Sequence, residues 1–524
     1  MLFETELRLP DLVRVEVESE SSLLEFSPEG FWQNHHTSVH VENAADRLHF
    51  ELRSETKRIE RVSFTWKSHL EPGIRFLNDA WERGYGDLEW AGLSPERYFP
   101  WYFLANRGSR TWAIGVRTVP SAFCHWSVTA RELRLVCDVR SGTRGVDLGS
   151  RVLPIATVVM DSGEDGSPFD IASRFCRKMS DPVSLPDDPI IGFNDWYYGH
   201  GHNSPETIRR DTHLLVELAP DGPNRPFFMI DAGWQVCGDA NGGPWNRGNR
   251  IFGDMKKVAE GIRASGARPG IWIRPLRTHE RLPETWLRGR DEHGVALDPS
   301  VPEVLEYIAE DVERIVEDWG YEMIKHDFTT YEIFGQWGFE MGAGMTGDRT
   351  MSFQDESRTT AEIVRSFYEK LRAAAGSSLI DGCNVIGHLA SGCIDLQRTG
   401  DDTSGYDWVR TRKMGVNTLA FRMPQHRAFF LSDADCVGIT KKIPWRLNRQ
   451  WLEVLAGSGT PLLVSAAPDA VGTEQKKALR EAYLLSSHTQ AQPVAEPLDW
   501  MDNRTPTRWK MGDREVRFDW FAES

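Results

Sequence analysis

Lys325 and Asp327, two residues apart in Gly320-Tyr-Glu-Met-Ile-Lys-His-Asp-Phe328, are the pair in this sequence best placed to do chemistry. The segment reads as a short buried strand, and side chains at i and i+2 of a strand point to the same face. A lysine beside a carboxylate favours the ionised form that a carboxylate nucleophile needs. A structural salt bridge has the same pattern, so the reading depends on what else the fold brings to that face.

The elements around the pair are those of an alternating fold. From residue 190 to 488 the pattern repeats strand, loop and helix. Candidate strands lie at 191–196, 227–231, 268–273, 322–327, 378–382, 393–397, 428–431 and 461–465. Helical patterns fall between most of them, at 205–218, 254–265, 301–318, 354–375, 444–457 and 474–487, with a weak one at 407–414. About eight strands alternating with helices predict a (β/α)8 TIM barrel, whose active site stands at the C-terminal ends of the strands. A doubly wound sheet is the alternative, but the sequence has no Gly-rich nucleotide turn. Before the barrel, residues 1–182 show short period-two strands separated by turns, which predicts a β-sandwich that packs against and partly walls the next domain. The Pro- and Asp-rich stretch 181–189 marks the boundary. Residues 489–524, with Trp500, Trp509 and an alternating 515–521, predict a short C-terminal β region docked on the barrel (residues 183–488).

Polar and aromatic residues gather at the predicted strand ends. They are Asn194-Asp-Trp196, Asp231-Ala-Gly-Trp234, Trp272-Ile-Arg274, Lys325-His-Asp327, Asp381-Gly-Cys383-Asn384, Arg398-Thr-Gly-Asp-Asp402 and Ser432-Asp-Ala-Asp435. Each alone fits a loop cap or a core tryptophan, but seven in register point to one pocket. No His/Cys cluster with metal-ligand spacing and no phosphate loop is present, so no metal or other cofactor is expected. A pocket of carboxylates then suits acid–base and nucleophilic chemistry, and sugar transfer suits it best.

The bounds from composition agree. The net charge of −16 disfavours nucleic acid as a partner. Apolar and charged fractions of 40% and 26% are those of a globular protein without a membrane span. The acidic N-terminal stretch does not read as a signal peptide, and 7 scattered cysteines read as reduced thiols, so a cytoplasmic location is expected. The 20 tryptophans allow aromatic platforms for sugar faces.

Residues 190–465 resemble the α-galactosidase clan of glycoside hydrolases, closest to families 36 and 27. Gly192-Phe-Asn-Asp-Trp196 resembles the family's G-x-N-S-W, and Met229-Ile-Asp-Ala-Gly-Trp234 its I-D-D-G-W. Phe252-Gly-Asp-Met-Lys-Lys-Val-Ala259 and Gly270-Ile-Trp272 resemble its F-P-x-G-M-K-x-L-A and G-I-W segments. Lys325-His-Asp327 matches K-x-D, Arg398-Thr-Gly-Asp-Asp402 matches R-x-x-x-D, and Ser432-Asp-Ala-Asp435 resembles N-D-P-D. The resemblance implies a retaining α-glycosidase with Asp327 as nucleophile and Asp402 as acid/base, Asp401 competing for the second role. Substrate contacts are then expected from Trp196, Asp231, Trp234, Trp272, Arg274, Lys325, Cys383, Asn384, Arg398 and Asp435. Asp402 is expected in a pocket poorer in positive charge, so that it can be protonated, and about 5–5.5 Å from Asp327.

Three departures bear on the sugar. The family's second Asp after strand two, which helps hold the 4- and 6-hydroxyls of galactose, is Ala232 here. Cys383 is followed by Asn384-Val-Ile-Gly-His388 in place of Ser-Gly-Gly-Gly, which puts Asn384 and His388 forward as contacts at the 2-position. Arg274 adds a cation that could pair with Asp231 or Asp327, or bind an anionic group or an additional hydroxyl. The expected substrate is a small carbohydrate with terminal α-linked galactose or a relative, and a homo-oligomer is open. Alternatives are a transglycosidase of the same clan, a Schiff-base lyase or aldolase using Lys325, and a non-catalytic sugar-binding barrel.

Overall fold

The structure is a computed structural model and describes residues 7–44, 46–94, 96–164, 166–238, 242–345 and 352–522. The alternating amino-terminal segments form one antiparallel sheet of 13 strands, not two separate sheets. The hairpin of Leu12–Val17 and Glu20–Phe26 is the reason, because each of its strands carries one half of the row. The row doubles back, so that inward residues of its halves meet. Phe50 and Phe64 stack with ring centroids 4.0 Å apart.

The second sheet has nine parallel strands. Ile191–Asn194, Phe227–Ile230, Arg268–Ile273, Met323–His326, Leu379–Gly382, Leu396–Arg398 and Leu431–Asp433 pair in chain order, and Leu462–Ala466 and Cys436–Ile439 extend the other edge. The two outermost strands are consecutive pieces of one segment, parted by Ala434 and Asp435. Leu431–Asp433 pairs with Leu396–Arg398, and Cys436–Ile439 pairs with Leu462–Ala466. The break falls where Asp435 takes a left-handed φ of 69°, a conformation that interrupts a strand. The strand also lies later than the 428–431 expected from hydrophobicity, because Arg427, at a φ of 60°, opens a turn that its N–H closes on the Phe430 carbonyl at 2.7 Å.

Helices pack outside this sheet. The one from Thr360 to Ala375 starts later than its hydrophobic pattern, because Thr359 and Glu362 cap it reciprocally. The weak sixth helix is real but irregular. Trp408–Arg410 runs into a wide π-type turn, Thr411–Asn417, and then Thr418–Arg422. A wide turn slips the 3.6 period by one residue, which blurred the pattern. Gly415 lies in it because a Cβ there would stand 2.8 Å from the Trp451 ring. Among the described residues there are also two small antiparallel sheets. One (Arg277–Thr278, Leu287–Asp291, Gly294–Leu297) follows the third parallel strand and was not expected; the other (Glu496–Pro497, Arg508–Met511, Arg514–Arg517) lies near the C-terminus. Among the described residues no helix is long and apolar enough to cross a membrane.

Candidate active site

The fourth parallel strand delivers its side chains by alternation. Lys325 and Asp327 turn to the mouth of the sheet, while His326 between them packs on Phe367 and Tyr368. Lys325 stands opposite Trp272 on one side and Asp381 on the other. The Lys325 ammonium does not bond Asp327, as its spacing suggested. It donates to Asp231 Oδ2 at 2.7 Å, because Asp231 leaves the second strand at the same level. Burial works against the lysine's charge, but Asp231 holds its pKa well above the ordinary range. The same Asp231 oxygen accepts from Asn194 at 2.8 Å, and Oδ1 from the Ala232 N–H at 2.9 Å.

Asp327 is held by uncharged donors. Trp272 Nε1 donates to Oδ2 at 3.0 Å and the Phe328 N–H to Oδ1 at 2.7 Å. Phe328 pays for this with a φ of 65°, an unusual conformation for a side chain that size.

Asp402 sits in the opposite setting. Arg398, on the sixth strand, donates to it at 3.1 Å and reaches Asp435 at 3.0 Å. Burial alone would raise the Asp402 pKa, but Arg398, then Arg83, then Lys325 hold it down at about 2. The pocket is therefore richer, not poorer, in positive charge around this acid than the sequence led one to expect, because Arg83 arrives from the amino-terminal sheet. Asp401 is committed elsewhere, paired with Arg83 at 2.8 Å and Arg410 at 2.6 Å.

These groups line one cavity of about 290 Å³, bounded by Trp196, Asp231, Ala232, Trp272, Lys325 and Asp327 with Asp401 and Asp402. The remaining residues anticipated as substrate contacts lie outside its lining. Trp234 is fully buried and donates to the Trp272 carbonyl at 2.8 Å, so it props Trp272. Arg274 pairs with Glu332 at 2.5 Å and covers the Phe328 ring, 3.9 Å from its centroid. It meets neither Asp231 nor Asp327 there. Cys383 and Arg398 lie beneath the cavity, 3.3 Å apart, and Asp435 anchors Arg398 while accepting from Thr403 at 2.8 Å. Asn384 is buried and bonds Glu82. His388 stacks on Trp101 at 4.7 Å and bonds the Val116 carbonyl at 2.8 Å, so it packs against the amino-terminal sheet.

Sequence reasoning missed Arg83, Tyr85, Phe328, Trp337 and Phe339, which complete the lining. Arg83 and Tyr85 belong to the connection between strands Arg75–Asn78 and Tyr98–Pro100. Its one signal was local, aromatic and charged residues crowded between glycines in Trp81-Glu-Arg-Gly-Tyr-Gly86. No group of three or more His, Cys, Asp or Glu among the described residues is arranged to hold a metal ion.

No family model and no curated protein sequence matches the chain. Its fold does have solved counterparts. TtGalA, an α-galactosidase from Thermus thermophilus in complex with p-nitrophenyl α-D-galactopyranoside, is 18% identical with a TM-score of 0.61, over 97% of this chain and 99% of that one. The GH36 α-galactosidase AgaA from Geobacillus stearothermophilus is 13% identical with a TM-score of 0.58, over 92% and 76%. A GH31 sulfoquinovosidase from E. rectale is 10% identical with a TM-score of 0.58, over 99% and 90%. The chain thus resembles the α-galactosidase clan in fold.

Proposed function

We propose that this protein is a retaining α-glycosidase of the α-galactosidase type, built on a (β/α)8 barrel and cleaving terminal α-linked galactose or a related sugar from small oligosaccharides or glycosides. The observation that carries the reading is that Asp327 and Asp402 line one sugar-sized cavity in contrasting settings, one bound by neutral N–H groups and the other by arginine. Asp327 attacks the anomeric carbon while the bond to the leaving oxygen breaks, and the Asp402 proton passes to that oxygen. Water then gives its proton to Asp402 and its oxygen to the anomeric carbon, releasing the Asp327 carboxylate. Asp401 is ill suited to the acid role because both its oxygens are tied to arginines.

The low Asp402 pKa shapes the kinetics. In the open cavity it is ionised at neutral pH, the form the second step requires. The first step needs its proton, so bound substrate must raise that pKa by covering the carboxyl and excluding water. The alkaline limb of kcat is therefore expected at higher pH than that of kcat/KM.

Lone-pair counting bears on the sugar. Asp231 Oδ2 already accepts twice and Oδ1 once, which leaves about one acceptor position for a hydroxyl. Ala232 offers none. A glycoside needing one acceptor here fits better than one needing two. An anionic sugar, of the kind the sulfoquinovosidase's name implies for that enzyme, gains little support, because the cavity's Arg83 and Lys325 are both paired with carboxylates. A Schiff-base role for Lys325 needs a neutral amine, and Asp231 opposes that. A non-catalytic sugar-binding barrel would not need both aspartates.

The test is a panel of aryl α-galactoside, α-N-acetylgalactosaminide, α-glucoside and β-L-arabinopyranoside, with products sorted into hydrolysed and transferred sugar. Turnover of the galactoside or arabinopyranoside with net retention supports the reading. Net inversion, or no turnover of any member, sinks it, and predominant transfer makes the enzyme a transglycosidase.

A further inference from the structure

The connection that carries Arg83 is fastened to the loop that carries Asp402. Gly84 N–H donates to the Thr399 carbonyl at 2.8 Å, and the Asp401 N–H donates to the Gly84 carbonyl at 3.1 Å. This is a one-residue parallel bridge between Gly84 and Gly400. Both glycines are required by space. A Cβ on Gly84 would lie 2.8 Å from Thr418 Cγ2, and one on Gly400 would lie 2.1 Å from the Met414 carbonyl oxygen.

Side chains reinforce the joint. Glu82 is fully buried; it accepts from Tyr85 and Asn384, and from the Gly338 N–H at 3.0 Å. Arg83 is only 5% exposed. It pairs with Asp401 at 2.8 Å and reaches the Cys383 carbonyl at 3.4 Å. From the other side Arg410 pairs with Asp401 at 2.6 Å, and donates to the Asp402 carbonyl at 2.6 Å. The loop is thus gripped by two arginines, one brought in from another sheet more than 300 residues away in sequence.

We propose that Arg83 is a positioning residue for Asp402: by clamping Asp401 from the amino-terminal sheet it holds the strand-six loop, and with it the Asp402 carboxyl, against the cavity. The inference rests on the reading of Asp402 as acid/base. It gives the amino-terminal sheet a part in proton transfer beyond walling the pocket.

The charges around Asp402 come from several elements. Arg398 approaches from its own strand with Asp435 behind it, Lys325 from the fourth strand, the Tyr197 hydroxyl from the turn after the first, and Arg83 from the amino-terminal connection. Asp231, Asp327 and Asp401 share the cavity wall. Replacing Arg83 by a neutral residue removes one cation and leaves Asp401 with one partner fewer. Both changes favour protonated Asp402, so the alkaline limb of kcat/KM moves to higher pH.

The experiment compares R83M, R83Q, R83K and D402N with wild type on an α-glycoside that wild type turns over and whose sugar leaving group needs a proton, recording kcat/KM against pH and the melting temperature. R83M is expected to lose roughly 10-fold or more in kcat at the wild-type optimum, with its alkaline limb raised by about half a unit or more. R83Q keeps a hydrogen-bond donor but no charge, so it should show the same limb with a smaller loss of kcat; it also stands in if R83M does not fold. R83K should keep the wild-type limb and lose kcat, because an ammonium cannot reproduce the guanidinium fork. The proposal is overturned if R83M and R83Q keep the wild-type limb, or if R83K is displaced as they are, since either result reduces Arg83 to a structural strut. A D402N enzyme with wild-type rates on glycosides of poor leaving groups would instead remove the acid/base reading itself, whatever Arg83 does.

Discussion

The ends of the fourth and sixth parallel strands each present a carboxylate to the same cavity, by different means. At the fourth strand the supports are near neighbours in the sheet: Trp272 on the adjacent strand, the Phe328 N–H one residue on, and Lys325 turned aside to Asp231. At the sixth they come from far apart, with Arg398 below, Arg410 on the following helix and Arg83 from another sheet. Asp327 is thus set by local hydrogen bonds to neutral donors, and Asp402 by a field of cations. A nucleophile must hold one protonation state through the cycle, and fixed neutral donors suit that task. An acid/base must exchange its proton, and a field that substrate can alter suits that one.

The comparison is broken most directly at Asp327. If it forms the covalent bond, D327N should lose roughly 10⁴-fold or more in kcat on every substrate, whatever the leaving group, because no other group can replace the nucleophile. A few per cent of wild-type turnover in purified D327N would remove Asp327 from that role. D402N should behave differently. On sugar leaving groups kcat/KM should fall by about 10²–10⁴-fold, while an activated aryl leaving group, which departs without a proton, should lose far less. Equal losses on both classes would mean that Asp402 does not donate the proton, and the contrast between the strand ends would fail.

The same difference runs a layer deeper. Asp195 is buried beneath Asp231, where it accepts the Asp231 N–H at 2.8 Å and an Asn203 N–H at 2.9 Å, and among the described residues no cation pairs with it. Burial, opposed by the Asp231 N–H and assisted by the Asp231 charge, pushes its pKa up to about 7. On the seventh strand, level with Arg398 of the sixth, Asp433 is pushed only to about 6, since Arg398 works against its burial. Because the native state holds the Asp195 proton more tightly than the unfolded chain, its contribution to stability is complete below about pH 4 and is lost as pH rises through about 7. The slope is at most about 1.4 kcal/mol per pH unit over that window. Urea midpoints of wild type and D195N between pH 4.5 and 8 test this, and the variant should be flatter by about one proton. A D195N profile parallel to wild type would show that Asp195 is ionised throughout.

How much of this was legible in the sequence follows from the distance over which each support is built. The parallel strands and both carboxylates could be read because apolar runs, Lys-x-Asp and Arg-x-x-x-Asp are short patterns. The pairing of Lys325 with Asp231 could not, since a strand's periodicity gives the face of a side chain but not which neighbour stands level with it. Arg274 read as a pocket cation for the same reason; Glu332, on the short helix Thr329–Phe334 after the fourth strand, draws it away. Arg83 was beyond reach altogether. Its role depends on how one sheet seats on another, and nothing local to 79–92 states that, apart from glycines whose need for space shows only against Thr418 and Lys413.

The finest test of the contrast is the single bond from Trp272 Nε1 to Asp327. Trp272 is 2% exposed, fixed by Trp234 through its carbonyl and edge-on to Trp245, so its indole N–H is aimed at Oδ2 with little freedom. A donor on a carboxylate opposes its attack on carbon but favours its departure, because the charge it stabilises is lost in the first step and regained in the second. W272F keeps most of the ring and removes the donor. It should therefore slow release of the sugar from Asp327 more than the formation of that bond. For an activated aryl glycoside, where release limits turnover, kcat should fall by about 10-fold, the rough worth of one hydrogen bond to a charged group, while kcat/KM changes by less. The pre-steady-state burst of aryl alcohol should grow as the intermediate accumulates. Equal losses in kcat and kcat/KM without a burst would mean that Trp272 only shapes the pocket, and that Asp327 is not governed by the neutral donors that distinguish it from Asp402.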